Sequence, residues 1–374
     1  MKRLVLVGGG HAHLHVLKTL TAGTWPAAEL VLVSPHARQV YSGMVPGWIA
    51  GHYRLDECAA ALEPLARAAG VRFVQDSVIG LDAERRVLHC AAGGEIAYDL
   101  LSLDIGAQVD CSSLAATGAA LLPIRPLERF IVEWDRQSAA FIAAGRARVA
   151  VVGGGAAGVE LALAIRHRLV SLLGADRTEV FLVEGGALLK GHGERVVSRV
   201  AAALAAGGVE RLAGYAAGSA TGLLLSDGRD LAVHCVVAAT GVVPAPWLAE
   251  SGLALAGDGF IAVGEGQQST SHPEVFAAGD VATRVAAPQA KSGVHAVRAG
   301  PVLAVNLRRA LEGRPPAPDR PRLTNNLYLL ATGPQQAVVS WGGWSATGRW
   351  AWRWKDWIDR RFMKQYALGE GEGT

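Results

Sequence analysis

The chain has 374 residues, of which 51% are hydrophobic and 18% charged, and its formal net charge is +3. That balance excludes a disordered chain and disfavours a general nucleic-acid binder, while the length suggests two or three domains. The charge is uneven: residues 301–374 hold 11 Lys and Arg against 6 Asp and Glu, so a basic C-terminal surface is compatible with an almost neutral whole.

Residues 4–7 (LVLV) read as a buried strand that runs into Gly8, Gly9 and Gly10. A helical pattern follows through His15 to Leu20, and residues 30–33 (LVLV) make a second strand. Strand, glycine turn, helix and strand is a unit that binds dinucleotides. Gly8 and Gly10 let the backbone approach a pyrophosphate, and the helix start at His11 and Ala12 offers N–H groups and a positive dipole end. His13 stands where a third glycine is usual. The second strand ends in Ser34, Pro35 and His36 without an acid, which leaves Ser34 to bond a ribose hydroxyl more weakly.

A second copy is complete. Residues 149–152 (VAVV) lead into Gly153, Gly155 and Gly158 at G-x-G-x-x-G spacing, and residues 179–184 (EVFLVE) form the next strand. Glu184 ends that strand, where an acid hydrogen-bonds the ribose 2′-hydroxyl of NADH and repels the 2′-phosphate of NADPH. No Arg follows directly, since Gly185 and Gly186 do, so NADH is expected over NADPH. Each half closes on a further apolar run: residues 98–106 end in SLDIG with Gly106, and residues 236–244 contain ATG with Gly241. Residues 273–280 (PEVFAAGD) end in Gly279 and Asp280, an acid placed to accept a hydrogen bond from a ribitol hydroxyl of FAD. A helix from about residue 290 to residue 311 would follow and aim its start at the flavin ring.

The order G-x-G, G-x-G-x-x-G-x-E, A-T-G-x-x-P and V-F-A-A-G-D resembles the two-dinucleotide-binding flavoprotein superfamily. That superfamily includes glutathione reductase, ferredoxin reductases, sulfide:quinone reductases and type II NADH dehydrogenases. The resemblance implies two nested Rossmann-like α/β domains of three layers, with FAD in the outer one and NADH in the inserted one. It implies hydride transfer from NADH to flavin N5, and then electron transfer to an acceptor. Residues 39–51 (QVYSGMVPGWIAG) lack the cysteine pair of disulfide reductases and look like the corresponding loop of type II NADH dehydrogenases, as does GVELA at 158–162. By that resemblance Glu160 lies near the nicotinamide and flavin, and a quinone is the expected acceptor. Segments such as GGGHAHLHVL and WKDWIDRRFM are closer still to the flavoprotein found fused to selenide, water dikinase in some bacteria, which suggests a selenium link.

Around the flavin, Arg38, Tyr41 and Val78 join the expected contacts. Lys291 would stabilise reduced flavin at its N1–C2=O edge, with a surface lysine as the alternative. His11, His13 and His15 lack a nearby carboxylate or cysteine set, so no metal is expected. The cysteines Cys58, Cys90, Cys111 and Cys235 form no C-x-x-C and suggest no disulfide scaffold. No apolar run reaches the roughly 18 residues of a spanning helix, and residues 4–7 are too short for a signal peptide, so the expected location is cytoplasmic.

Six of the ten tryptophans fall in residues 341–357. On a helix Trp350, Trp354, Trp357, Ile358, Arg361 and Phe362 share one face. Tryptophan with cations suits a membrane interface, so residues 341–362 are expected to dock peripherally on the inner face of the cell membrane; burial against the body or in a homodimer is the alternative. The expected segments are 1–112 and 245–330 for FAD, 113–244 for NAD(H), and 331–374 as an appendage. The rival readings are a soluble reductase of a selenium or sulfur species or of a small redox protein, and a non-catalytic flavin-binding partner.

Overall fold

The computed structural model describes residues 1–319 and 327–367; residues 320–326 and 368–374, which fall in the last two expected segments, lie outside the described residues. Two five-stranded parallel sheets organise the chain. The first runs in the order Val275–Ala277, Leu100–Leu103, Lys2–Val7, Ala28–Val33, Arg72–Val74. The second runs Ala120–Pro123, Cys235–Ala238, Ala147–Val152, Thr178–Glu184, Val209–Ala213. In both, the strand that precedes the glycine turn is central, with its following strand on one side and a later strand on the other. The order therefore reverses at that strand, which opens a crevice at the carboxyl ends of the strands.

These strands read as unbroken apolar runs because both faces are covered. Leu4, Val5 and Leu6 have no exposure, nor do Val149, Ala150 and Val151. Leu4 and Leu6 pack toward the helices His11–Ala22 and Gly293–Leu311, while Val5 and Val7 face a second cluster around Leu101 and Ile261. The two helices approach closely at Gly300, where a Cβ would stand 2.6 Å from Cβ of His15. The helix after Asp280 starts at Gly293, a turn later than the sequence pattern suggests.

The C-terminal part is a three-stranded antiparallel sheet, Leu327–Ala331, Ala337–Trp341 and Trp344–Gly348, followed by the helix Arg349–Lys364. That helix has two anchors in the body. Ala351 sits on the small sheet against Ala337 and Val339, and Phe362, with Tyr366 beyond the helix, enters the core of the first sheet beside Leu14 and Leu303. The single apolar face expected of residues 350–362 is therefore divided. Phe362 is 8% exposed, whereas Trp350 and Trp357 are 48% and 56% exposed. Among the described residues no helix is long and apolar enough to cross a membrane.

Candidate functional site

At the first turn Gly8 has φ +89°, and a Cβ there would lie 2.4 Å from the carbonyl oxygen of Asp104. A Cβ on Gly10 would strike the Asp104 carboxyl itself. Asp104 Oδ2 accepts the main-chain N–H groups of Ala12 at 2.8 Å and His13 at 3.0 Å, so this acid occupies the helix start. Burial raises its pKa to about 7 against the lowering effect of those two hydrogen bonds, with the charge of Asp280 adding to the rise. His13 fills the third-glycine position without crowding the turn because its ring points inward. Its Nδ1 donates to the Gly8 carbonyl at 2.6 Å, and its Nε2 accepts from the Ser102 hydroxyl at 2.8 Å. Burial lowers its pKa to about 4, so the ring is neutral.

The seam between this turn and the helix Gly293–Leu311 carries unsatisfied polar atoms. His11 Nε2 and Ser292 Oγ are buried without partners, and the site for a Cβ on Gly293 is 2.9 Å from Ser42 Oγ and 4.0 Å from His11 Nε2. Orphaned buried groups of this kind call for a ligand or water. A cavity of about 680 Å³ adjoins, lined by Gly279, Asp280, Lys291 and His295 among others. Glycine backbone, orphaned donors and acceptors, and the Gly279–Asp280 corner together fit FAD. Tyr41 and His11 form an aromatic wall, with ring centroids 5.4 Å apart, and Tyr41 meets Phe362 at 4.4 Å.

Several expected residues are engaged otherwise than the sequence reading supposes. The Ser34 hydroxyl donates to the His36 carbonyl at 3.2 Å and accepts the His36 N–H, which closes a local turn and competes with a ribose contact. Pro35 and Arg38 are exposed, Arg38 at the start of a short strand paired with Ala61. Val78 pairs with Cys90 in a small antiparallel sheet and packs beside Leu81 and Tyr98. Gly106 makes the bend after Leu100–Leu103 with φ +71°. Asp280 forms an ion pair with Arg125, a residue that carries no motif. The Lys291 ammonium donates to the Ala282 carbonyl and the Thr283 hydroxyl, both at 2.7 Å, and lies 3.9 Å from the Phe260 ring centroid. It is thus held by protein groups on the wall of the cavity that Gly279 and Asp280 also line.

The second turn is equally tight. Gly153 has φ +133°, with a Cβ position 2.1 Å from the Ala239 carbonyl oxygen, and a Cβ on Gly158 would be 1.9 Å from the Gly153 oxygen. Gly155 begins the helix Ala156–Leu173 with open space where its Cβ would be. Nearby, Gly241 accepts the Asp110 N–H at 2.9 Å and Thr240 donates to the Asp110 carbonyl, which extends the antiparallel pairing of Gln108–Val109 with Val242–Val243. Glu184 ends its strand 6% exposed. One carboxylate oxygen pairs with Arg211, and the other is buried with no partner. The sequence places no Arg next to Glu184, yet the parallel pairing of Thr178–Glu184 with Val209–Ala213 brings one from 27 residues away.

Glu160, two residues beyond Gly158, accepts the Ala331 N–H at 2.8 Å. Desolvation pushes its carboxyl up to about 7, partly opposed by the Lys355 charge. Lys355 belongs to the C-terminal helix. It donates to the Gly43 carbonyl at 2.7 Å and to Asp359 at 2.8 Å, and burial together with the nearby Asp359 raises the pKa of the Tyr41 hydroxyl. A buried polar chain thus joins the inserted half, the C-terminal helix and the loop beside the first turn. Asp104, Arg125, Arg211, Lys355 and Asp359 are the members that sequence reasoning missed. Asp104 lies in the SLDIG segment and Lys355 and Asp359 in WKDWIDRRFM, whereas Arg125 and Arg211 sit outside any motif.

Two nested units, each a parallel sheet with a glycine turn at its switch point, define a protein that binds two dinucleotides. Residues 2–300 match the model of the family described as pyridine nucleotide-disulphide oxidoreductase, and the chain belongs to that family. It is an FAD-dependent pyridine nucleotide oxidoreductase. The chain is 27% identical over 297 residues to a probable ferredoxin reductase from Castellaniella defragrans, which covers 76% of this chain and 68% of that protein. It is also 27% identical over 192 residues to the demethylphylloquinone reductase of Synechocystis, which covers 49% of this chain and 46% of the relative. The fold is similar to the sulfide:quinone oxidoreductase of Aquifex aeolicus, with a TM-score of 0.80 and 15% identity over 98% of this chain and 91% of the other. These similarities bring no support to the selenide, water dikinase resemblance.

Proposed function

We propose that this protein is an NADH:quinone oxidoreductase that works at a membrane surface. NADH binds at the 153–158 turn with its ribose toward Glu184, and FAD binds at the 8–10 turn, against Asp280 and the start of the Gly293–Leu311 helix. FAD, when bound, accepts a hydride from the nicotinamide and returns two electrons to a second substrate. The two glycine turns orient the two nucleotides, and orientation is the main contribution the protein makes to such a transfer. Reducing a quinone to a quinol also takes up protons. Glu160, whose carboxyl titrates near neutrality, can hold and release one beside the Lys355 ammonium.

The observation that carries the quinone reading is the C-terminal helix. Its inner side reaches Tyr41 and Gly43 next to the first turn through Asp359, Phe362 and Lys355. Its outer side presents Trp350 and Trp357, with Trp341 and Trp344 from the adjoining strands, all about half exposed. Exposed Arg349, Arg353, Arg361 and Lys364 surround them. Indole rings among cations match the interface of an anionic bilayer, where a lipid-soluble quinone resides. The named quinone reductase among the relatives favours the same acceptor.

A ferredoxin-like protein is the second reading, favoured by the similarity to a probable ferredoxin reductase. A thiol-based reduction of sulfur species has less support. Burial raises the pKa of all four thiols, Cys58 to about 12, which leaves little thiolate at neutral pH. The deciding experiment is anaerobic: bleach the flavin with NADH, then add a short-chain quinone or a reducible ferredoxin. Recovery of flavin absorbance with quinone alone supports the proposal. Recovery with ferredoxin alone rejects the quinone.

A further inference from the structure

The coenzyme end of the second sheet holds more than the acid that the motif implies. Glu184 and Arg211 stand on neighbouring parallel strands, with Glu184 opposite Ala213 and Leu182 opposite Arg211. The Arg211 side chain is 38% exposed and pairs with one Glu184 oxygen, while the other oxygen is buried and has no partner. Gly154 lies against that second oxygen. A Cβ there would stand 3.4 Å from it and 2.9 Å from Cβ of Glu184, so any larger residue would crowd the acid. On the other side the Tyr215 ring lies across Gly185, 2.7 Å from where a Cβ would be, and Tyr215 is 74% exposed. An ordinary structural ion pair has no reason to keep an acceptor buried and unpaired beside a glycine turn, because such a group costs stability until a donor reaches it.

We propose that Arg211 is the positioning residue that sets the choice between the two pyridine nucleotides, a role that rests on the 153–158 turn being the NADH site. Arg211 fixes the Glu184 carboxylate by one oxygen and leaves the other to accept a hydrogen bond from the adenosine ribose 2′-hydroxyl of NAD(H). It also sets a guanidinium next to the point where NADP(H) carries its 2′-phosphate. In the wild-type chain the Glu184 charge occupies Arg211 and repels that phosphate. Removing the charge frees a guanidinium for bidentate phosphate recognition. Discrimination thus belongs to the pair, and the strand Val209–Ala213 contributes to it as much as the strand that bears the acid. Tyr215 provides an exposed ring at the same edge, on the side away from Gly154.

The test uses the FAD-loaded protein and the oxidised nucleotides NAD⁺ and NADP⁺, with dissociation constants from calorimetry, so that no turnover is involved. Wild type, Glu184→Gln, Arg211→Ala and the double variant are compared, each checked for an unchanged flavin spectrum and thermal transition. Wild type should bind NAD⁺ more tightly than NADP⁺. Glu184→Gln should improve the NADP⁺ to NAD⁺ affinity ratio by about tenfold or more, and the double variant should lose that gain. Arg211→Ala alone should weaken NAD⁺ several-fold, and Arg211→Lys in the Glu184→Gln background should keep part of the NADP⁺ gain. A gain that persists without Arg211, or a ratio unmoved by Glu184→Gln, overturns the assignment while leaving the coenzyme site intact. Failure of the wild-type chain to bind either nucleotide would overturn the reading of the turn itself, and this inference with it.

Discussion

The carboxylate of Asp104 accepts the main-chain N–H of Ala12 at 2.8 Å, at the helix start where a dinucleotide would place its pyrophosphate. An acid and a phosphate then share one positive helix end, and they are compatible best when the acid carries its proton. Burial already favours that form, with the pKa raised to about 7. Because the folded pKa lies above the unfolded one, Asp104 binds its proton more tightly in the native state and subtracts stability as pH rises from about 4 to about 7. His11 and His13, both lowered to about 4 by burial, act with the opposite sign over much of that range. The Asp104 contribution is therefore isolated by difference. Asp104→Asn should gain stability over wild type between pH 5 and pH 8, as read by apoprotein melting. FAD should bind wild-type apoprotein more tightly at pH 6 than at pH 8, and this preference should shrink in Asp104→Asn. Equal pH profiles for the two proteins would refute the proton link.

The Lys355–Asp359 pair is buried, with side chains 12% and 5% exposed. Burial disfavours both charges and mutual attraction opposes it: the Lys355 pKa ends raised, its proton held by Asp359 and Glu160, while for Asp359 burial outweighs the Lys355 charge and its pKa is raised too. Lys355→Met leaves Asp359 and Glu160 without their cation and should cost about 3–5 kcal/mol in chemical denaturation. The double variant Lys355→Met with Asp359→Leu should recover much of this. A loss of under about 0.5 kcal/mol in the single variant, the ordinary surface range, would show the pair to be idle.

The two sheets were legible because their strands are continuous apolar runs bounded by glycines, and residues 4–7 and 149–152 carry that signal without help from elsewhere. The second turn was legible for the same reason: a Cβ on Gly153 or Gly158 meets a backbone oxygen, so glycine is enforced and visible. What stayed hidden depends on contacts between distant segments. Arg125 reaches Asp280 across 155 positions, and Lys355 reaches Gly43 across 312. Lys355 and Asp359 lie off the face that Trp350, Trp354 and Trp357 mark in the sequence, and nothing in the pattern assigns them a partner. Only the packing of that helix on the first sheet turns them inward, and periodicity within the helix cannot report it. Ser34 shows the converse, since its strand-end position is right for a ribose but its hydroxyl is taken up by His36.

The division of the C-terminal helix makes opposite forecasts for two aromatic residues that stand about 140° apart around it. Phe362 is in the core, so Phe362→Ala should cost about 3–5 kcal/mol. Trp357, 56% exposed, should change stability by no more than about 0.5 kcal/mol when replaced by Ser. Replacing Trp350, Trp354 and Trp357 together should abolish sedimentation with anionic vesicles while NADH reduction of a soluble dye continues. Unchanged vesicle binding would show that the indoles do not meet lipid.

Two glycines of the second turn separate strain from ligand contact. Gly153→Ala forces a methyl group to within 2.1 Å of the Ala239 oxygen at φ +133°, so it should destabilise the inserted half by about 1–3 kcal/mol from backbone strain alone and impair NADH binding as a consequence. Gly155→Ala introduces no such clash, because nothing lies within 4 Å of its Cβ and its φ is −77°. Ala is a poorer N-cap than Gly, so its stability should fall by about 0.5–1 kcal/mol, without the backbone strain of Gly153→Ala. Its methyl group nevertheless projects at the start of the helix Ala156–Leu173, where a pyrophosphate approaches the backbone. Gly155→Ala should therefore keep its flavin spectrum and lose only a little in melting temperature while the Michaelis constant for NADH rises about tenfold or more. A stable Gly155→Ala protein that NADH bleaches with wild-type kinetics would show that the coenzyme does not use this turn, whatever Gly153→Ala does.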